Sequence, residues 1–401
     1  MKRIFSNKEI VLGVTGSIAA YKACEIASRL VEYGARVLPV LTESAAELVG
    51  PASFEAITGR RAITGMFEPL QNPEIEHIAV ATRAHLFLIA PATANVIAKA
   101  AHGIADDWLT TTLLATKAPI LFAPAMNCNM YTHPATQENI KTLAGRGCRF
   151  VGPEEGRLAC GFSGIGRMID PATIIEACVP LLAPKKELAG KRVLITSGAN
   201  HEPIDPVRFI GNRSSGKMGR AIALEALARG AEVTIISGPS EARMPWGATV
   251  ISVGSAGEMA QAVEREAPKA DVIIGAAAVA DYTVANPAAD KIKRDQETLT
   301  LTLVQNPDII AGAGAKKRPG QFVVGFAAET ENVIPNAIAK LKRKNLDLIV
   351  ANLIGTSDSG FGTDTISASL ITPDRHIEDL PLVTKDELAN HLFNHIVAAL
   401  A

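Results

Sequence analysis

The sequence predicts two α/β units in tandem: an N-terminal flavodoxin-like or Rossmann-like parallel sheet with helices on both faces, and a C-terminal Rossmann-like unit with an antiparallel strand addition. Three observations carry this reading. From residue 9 to about 180, short apolar runs alternate with longer amphipathic ones, the rhythm of parallel strands joined by crossover helices. The 401 residues are about two to three times an ordinary domain, so at least two cores are expected. Around residues 180–192, the run VPLLAPKKELAGKR combines prolines, a charge cluster and a glycine before a fresh strand VLITSG, which places a boundary there: units 1–188 and 189–401.

In the first unit, strands are predicted at Ile10–Val14, Arg36–Leu41, Leu86–Ala90, Ile120–Ala123 and Arg149–Val151. The helix Ile18–Tyr33 meets Gly34 and the next strand starts at once, as a C-cap glycine requires; Gly147 and Gly230 read the same way. In the second unit, Val193–Ser197, Val233–Ser237 and Val272–Ala276 read as strands, with helices at Lys217–Arg229 and near Met259–Glu266. Two segments then change period. Leu299, Leu301 and Leu303 alternate with threonines, and Ile366, Ala368 and Leu370 with polar residues, so both are expected to add antiparallel strands to the sheet. Lys385–Leu400 reads as a closing helix.

Composition excludes several classes. With 40 Lys+Arg against 41 Asp+Glu and 48% hydrophobic residues, neither disorder nor a surface for nucleic acid fits, so any phosphate recognition must be local. Apolar stretches such as Val272–Ala280 stop well short of the ~20 residues that span a bilayer. Lys2 and Arg3 before an apolar run faintly imitate a secretory leader, but Lys8 and Glu9 interrupt it. Five cysteines, with no pair at C-x-x-C spacing, suit reduced thiols and not structural zinc. A cytoplasmic chain is expected.

Several motifs ask for chemistry. Gly13, Gly16 and Ser17 lie between strand and helix, where N–H groups and a hydroxyl could grip a phosphate; a plain tight turn is the alternative. The dinucleotide fingerprint G-x-G-x-x-G is missing, which argues against a nicotinamide dehydrogenase. Glu76-His77-Ile78, PAMNCNMYTHP (124–134) and LACGFSGIGRM (158–168) have no obvious packing rationale. Asn127 must find partners if buried, and Cys160 in a glycine-rich loop would leave its thiol accessible. In the second unit, GNRSSGKM (211–218) fits G-x-x-x-x-G-K but puts Met218 where a P-loop needs Ser or Thr. AAAVADY carries a strand to a polar end at Asp281, where open α/β sheets place ligands. Lys340 and Lys344, four apart on one helix, can present both ammonium groups to one polyanion or simply be solvated.

GVTGSIAAYK, His77, PAMNCNMY and ACGFSGIGRM resemble the homo-oligomeric flavin-containing cysteine decarboxylases. The second half resembles phosphopantothenoylcysteine synthetase, so nearly all 401 residues resemble the bifunctional bacterial enzymes of coenzyme A biosynthesis. For the first unit the resemblance implies FMN-dependent decarboxylation of 4'-phosphopantothenoylcysteine to 4'-phosphopantetheine. His77 falls on the family's base, Asn127 on the carboxylate anchor and Cys160 on the proton donor for the final reduction, with Gly16, Ser17, Thr93 and Asn95 at the FMN. A Cys160→Ser enzyme is then expected to stop at the enethiol.

For the second unit it implies CTP- and Mg²⁺-dependent joining of cysteine to 4'-phosphopantothenate through an acyl-cytidylate. Arg208 and Asn212 match positions linked to turnover of that intermediate, and Lys291 matches the lysine that contacts CTP. Ala276, Ala277 and Asp281 match the base and metal region, and Asn306, Pro307, Asp308, Ile309, Gly325, Phe326, Lys340 and Lys344 the rest of the nucleotide site. The resemblance further implies a homo-oligomer with trimeric decarboxylase and dimeric ligase contacts, hence a dodecamer.

Overall fold

The structure, a computed structural model, describes residues 1–66, 76–157, 161–183, 185–294, 297–329, 331–353 and 362–400. They form two compact units, Met1–Pro184 and Lys185–Ala401. The first is built on parallel strands in the order β2-β1-β3-β4-β5: β1 Glu9–Val14, β2 Arg36–Leu41, β3 Leu86–Ala92, β4 Ile120–Pro124 and β5 Arg149–Phe150. β3 is buried along its whole length, as a central strand covered on both faces must be, which explains why LFLIAPA carries no alternation.

The connecting helices are α1 Lys2–Phe5, α2 Lys22–Glu32, α3 Glu43–Ala46, α4 Pro51–Thr58, α5 Glu76–Arg83, α6 Ala94–His102, α7 Trp108–Ala115, α8 Cys128–Thr132, α9 Pro134–Gly145 and α10 Pro171–Leu182. α2 packs against α4 and α10. α5, α6, α7 and α9 join Val11, Phe87, Ile89 and Phe122 of the sheet in a separate core layer. Ala23, Ile26, Ala27 and Leu30 form the buried stripe of α2, and Gly34, at φ 86°, ends it. The helix expected from Ile18 begins instead as a 3-10 turn, Ile18–Tyr21, with Ser17 as its N-cap. A hairpin of β6 Glu154–Arg157 and β7 Ser163–Arg167 stands apart from this sheet.

The second unit carries β8 Arg192–Ser197, β9 His201–Pro203, β10 Phe209–Gly211, β11 Glu232–Ser237, β12 Thr249–Ser252, β13 Val272–Gly275, β14 Tyr282–Val284, β15 Leu303–Gln305, β16 Phe322–Glu329, β17 Leu348–Leu353, β18 Thr365–Ile371 and β19 Ile377–Thr384. Its main sheet runs β12-β11-β8-β13-β16-β17-β18-β19, parallel up to β17 and antiparallel beyond. Helices α11 Lys217–Ala228, α12 Ala256–Glu266, α13 Ile309–Ala315, α14 Val333–Arg343 and α15 Lys385–Leu400 cover it. α11 and α15 share one core with the strands; α12, α13 and α14 share the other.

One strand expectation is corrected. Ile366–Leu370 does extend the sheet, but Leu299 and Leu301 lie outside any strand, and Leu303 belongs to a separate β14–β15 ribbon. Leu299 and Leu303 are exposed, so their alternation had no buried face to pair it with the sheet. Among the described residues no helix is long and apolar enough to cross a membrane.

Candidate active sites

In the first unit, β1 and β3 are neighbours although β2 intervenes in the chain, so the strand order reverses between them. Ligands gather at the carboxyl ends beside such a reversal. Thr15, fully buried just past β1, ties the two ends together: its Oγ1 donates to the Pro91 carbonyl at 2.7 Å and accepts from the Thr93 N–H at 3.0 Å. Ser17 caps the turn after β1, and Thr93 caps α6 by accepting from Val96 N–H. Gly16 and Asn95 lie exposed beside them. Gly16, Ser17, Thr93 and Asn95 are a neutral set of hydroxyl, amide and backbone donors, chemistry that fits a phosphate monoester such as that of FMN. Thr15 carries no motif signal, since a threonine after a strand is commonplace. Thr15→Val, which strands a buried carbonyl and N–H, is expected to lower stability by about 1–3 kcal/mol; an unchanged thermal midpoint would remove the hydroxyl from this account.

His77 is half-buried in the first turn of α5, the crossover helix that leads straight into β3. Such a helix runs against the strands, so its start lies toward the sheet's carboxyl ends. Asn127 caps α8 just after β4, its Oδ1 accepting from Asn129 N–H at 2.8 Å. The β6–β7 hairpin is strapped to this turn: Met126 N–H donates to the Gly166 carbonyl at 3.0 Å. A Cβ at Gly166 (φ 154°) would sit 2.3 Å from the Met126 carbonyl oxygen, so the glycine serves close approach. Cys160 lies outside the described residues. Burial pushes the thiols of Cys24, Cys148 and Cys178 up, which makes them poor nucleophiles.

In the second unit, the reversal between β8 and β13 opens a cleft of about 710 Å³. That volume lies in the range of small-molecule sites. Its floor is the end of β8 and β13 with Gly325 and Phe326 of β16, and Ala276, Ala277 and Asp281 form one wall. Thr196 holds that wall, its carbonyl accepting from Ala276 N–H and its hydroxyl from Ala277 N–H. Asn212 joins from the other side, its Nδ2 donating to the Ala278 and Val279 carbonyls at 3.1 Å each. Asn306, Pro307, Asp308 and Ile309 complete the rim, with Lys340 and Lys344 from α14 and its cap. Both lysines are ion-paired, Lys340 with Glu329 at 2.6 Å and Lys344 with Asp308 at 3.0 Å. An entering polyanion therefore competes with carboxylates for them.

Sequence reasoning passed over Lys385. It lines the cleft from the first residue of α15, is buried, and donates to the Thr363 carbonyl. Burial, reinforced by the charge of Lys217, pulls its ammonium below the usual lysine range while Asp364 opposes. A cation in a helix's first turn works against the macrodipole, and that misplacement was the available signal. Asp281 and Asp308 are the cleft's carboxylates, and no cluster of three metal-ligating side chains occurs among the described residues. Such a site fits Mg²⁺ brought mainly on phosphates and water.

Arg208 and Lys291 do not line the cleft. Arg208 lies in the turn of the β9–β10 hairpin, which is braced by His201 stacked on Phe209 at 3.6 Å between centroids, and its guanidinium bonds the carbonyl of Ile292, the residue after Lys291. Buried Asp205 is the hub. Its Oδ1 accepts from the N–H groups of Val207 and Arg208, both at 2.8 Å. Its Oδ2 accepts from Arg208 Nη1 at 2.6 Å and Ile292 N–H at 3.1 Å. Burial raises its carboxyl pKa, but these donors outweigh it and the net shift is downward.

Fold and clefts define a class: a tandem of α/β units, each with its candidate site where its strand order reverses. The model of the Flavoprotein family matches residues 2–183, and that of the DNA/pantothenate metabolism flavoprotein C-terminal domain matches 188–400. The coenzyme A biosynthesis bifunctional protein CoaBC of Vibrio cholerae is 46% identical over 393 residues, covering 98% of either chain. Its counterparts from Bacillus subtilis and Escherichia coli K12 are each 44% identical over 98% of this chain and 98% and 97% of theirs. The chain belongs to this family of bifunctional coenzyme A biosynthesis proteins. Among solved structures, the C-terminal domain of a CoaBC protein is 39% identical, covering 54% of this chain and 98% of that one, with TM-score 0.47. The FMN-dependent cysteine decarboxylase SpaF is 34% identical, covering 43% and 99%, with TM-score 0.38.

Proposed function

We propose that residues 189–401 join cysteine to 4'-phosphopantothenate at the expense of CTP, and that residues 1–188 decarboxylate the product to 4'-phosphopantetheine. The chain is a bifunctional enzyme of coenzyme A biosynthesis, a lyase and a ligase in one polypeptide. The observation that carries the ligase reading is the cleft beside β8 and β13, where Lys217, Lys340, Lys344 and Lys385 surround a nucleotide-sized space walled by Ala276–Asp281. A bare carboxylate is a poor electrophile, so it must first be loaded with a nucleotide. The lysines then offset charge building at the transferring phosphorus, and Asp281 would hold a Mg²⁺ that supplies further positive charge there. Lys291 serves the first step by contacting CTP, and Arg208 and Asn212 serve the second, in which the cysteine amine displaces CMP.

In the first unit, Gly16, Ser17, Thr93 and Asn95 hold the phosphate of FMN. Bound FMN supplies the two-electron oxidation that turns the substrate's thiol carbon into a thioaldehyde, a sink for the pair left by carbon dioxide. His77 takes the proton released in that oxidation, Asn127 orients the departing carboxylate, and Cys160 supplies the proton when the two electrons held by the cofactor return to the product. Both units act on small molecules as a cytoplasmic homo-oligomer, a dodecamer if trimers of one unit and dimers of the other combine.

The test is one incubation with phosphopantothenate, cysteine, Mg²⁺ and either CTP or ATP. The yellow protein is expected to release pyrophosphate with CTP, then carbon dioxide and a free thiol. A colourless protein that FMN does not reconstitute overturns the first half of the reading, and failure to form pyrophosphate with CTP overturns the second.

A further inference from the structure

Between two residues that line the cleft, Asp281 and Gln305, the chain makes an excursion that carries Lys291. Its anchorage is specific. Ala288 N–H donates to the Ile204 carbonyl at 2.9 Å, and Ile292 is held at both polar groups, its N–H by Asp205 Oδ2 and its carbonyl by Arg208 Nη1 at 3.2 Å. The Asp205–Arg208 pair thus fixes the residue next to Lys291 from two sides, on the hairpin that ends at Asn212.

The two oxygens of Asp205 have separable duties. Oδ1 closes the hairpin turn by accepting two successive backbone N–H groups, a task that asparagine performs as well. Oδ2 receives the Arg208 guanidinium and the Ile292 N–H, both donors, and an amide nitrogen there would face them with its own hydrogens. A turn alone therefore does not call for aspartate; the clamp does. The side chain is fully enclosed, so water cannot substitute for the lost acceptor.

We propose that Asp205 is a positioning residue of the ligase, acting through Lys291: its Oδ2, with Arg208, sets the register in which the Lys291 segment approaches the nucleotide cleft. The inference rests on the ligase reading of the second unit. It assigns Arg208 a structural share in addition to any contact with the intermediate.

The experiment uses the full-length enzyme with its flavin and a double-mutant cycle of Asp205→Asn and Lys291→Gln, reading pyrophosphate release against CTP concentration. Asp205→Asn is expected to raise KM for CTP and lower kcat/KM about 10- to 100-fold, while carbon dioxide release from supplied phosphopantothenoylcysteine stays unchanged. The double variant is expected to match Lys291→Gln within about twofold, because a lysine already removed cannot be misplaced. Additive losses, or wild-type kinetics in Asp205→Asn, overturn the proposal. Should Asp205→Asn fail to fold, Arg208→Lys keeps the charge but withdraws the guanidinium from the Ile292 carbonyl, and decides the matter by the same cycle. A wild-type enzyme that forms no pyrophosphate would overturn the ligase reading itself, a result separable from failure of the cycle.

Discussion

His77→Asn is expected to slow carbon dioxide release by about 10²- to 10⁴-fold, the range for loss of a general base, while leaving pyrophosphate formation and the bound flavin as they are. Asparagine keeps a polar side chain of related size but cannot accept the proton. The substitution also spares what holds α5. That helix is seated by buried Val80 and Ala81, and the Thr116 hydroxyl donates to the Ala81 carbonyl at 2.9 Å, all beyond the turn that carries His77. A half-buried residue away from those contacts changes stability by about 0.5 kcal/mol or less. Lost decarboxylation is then attributable to chemistry. The check is parallel measurement of carbon dioxide and pyrophosphate on one preparation; carbon dioxide release within threefold of wild type would remove His77 from the proton-transfer role.

Much of the scaffold was legible because local rules and burial agree. Runs such as LFLIA and VIIG announce doubly covered strands, and Gly34, Gly147 and Gly230 all occupy the left-handed region that an ending helix uses. Legibility failed where a pattern needs a distant partner. The alternation at Leu299–Leu303 is as clean as that at Ile366–Leu370, but only the second meets a strand, β17, with a buried face to share. Lys340 and Lys344 illustrate the same limit in the site. Helical spacing puts them on one side, yet nothing in that spacing reveals that Glu329 and Asp308 neutralise them. The hubs were invisible for a related reason. Thr15 and Asp205 bear ordinary local signatures, and their importance arises from bonds to Pro91, Thr93 and Ile292, some 76 to 87 positions away.

Asn212→Asp is expected to uncouple the two steps of the ligase, so that acyl-cytidylate accumulates. The wall of the cleft is tethered on one side by backbone bonds to β8, where Ala276 N–H meets the Thr196 carbonyl and Ala278 N–H the Gly198 carbonyl. On the other side its Ala278 and Val279 carbonyls receive both hydrogens of the Asn212 amide. Aspartate has no hydrogen to give, and its charge would face two carbonyl oxygens. That edge should part from the β9–β10 hairpin, while the β8 tethers, the α14 lysines and the nucleotide-facing wall stay in place. Asn212 is exposed, so the new charge is solvated and the fold is spared. With the Asp205 clamp on the Lys291 segment also intact, cytidylyl transfer is expected to proceed, while attack by cysteine, the step the proposed reading assigns to Asn212, is expected to slow. Two lost hydrogen bonds turned repulsive correspond to about 10- to 100-fold in CMP release, against a nearly normal burst of pyrophosphate. Rapid quench with labelled CTP measures both, and equal amounts of pyrophosphate and CMP at every time point would show that Asn212 does not divide the two steps.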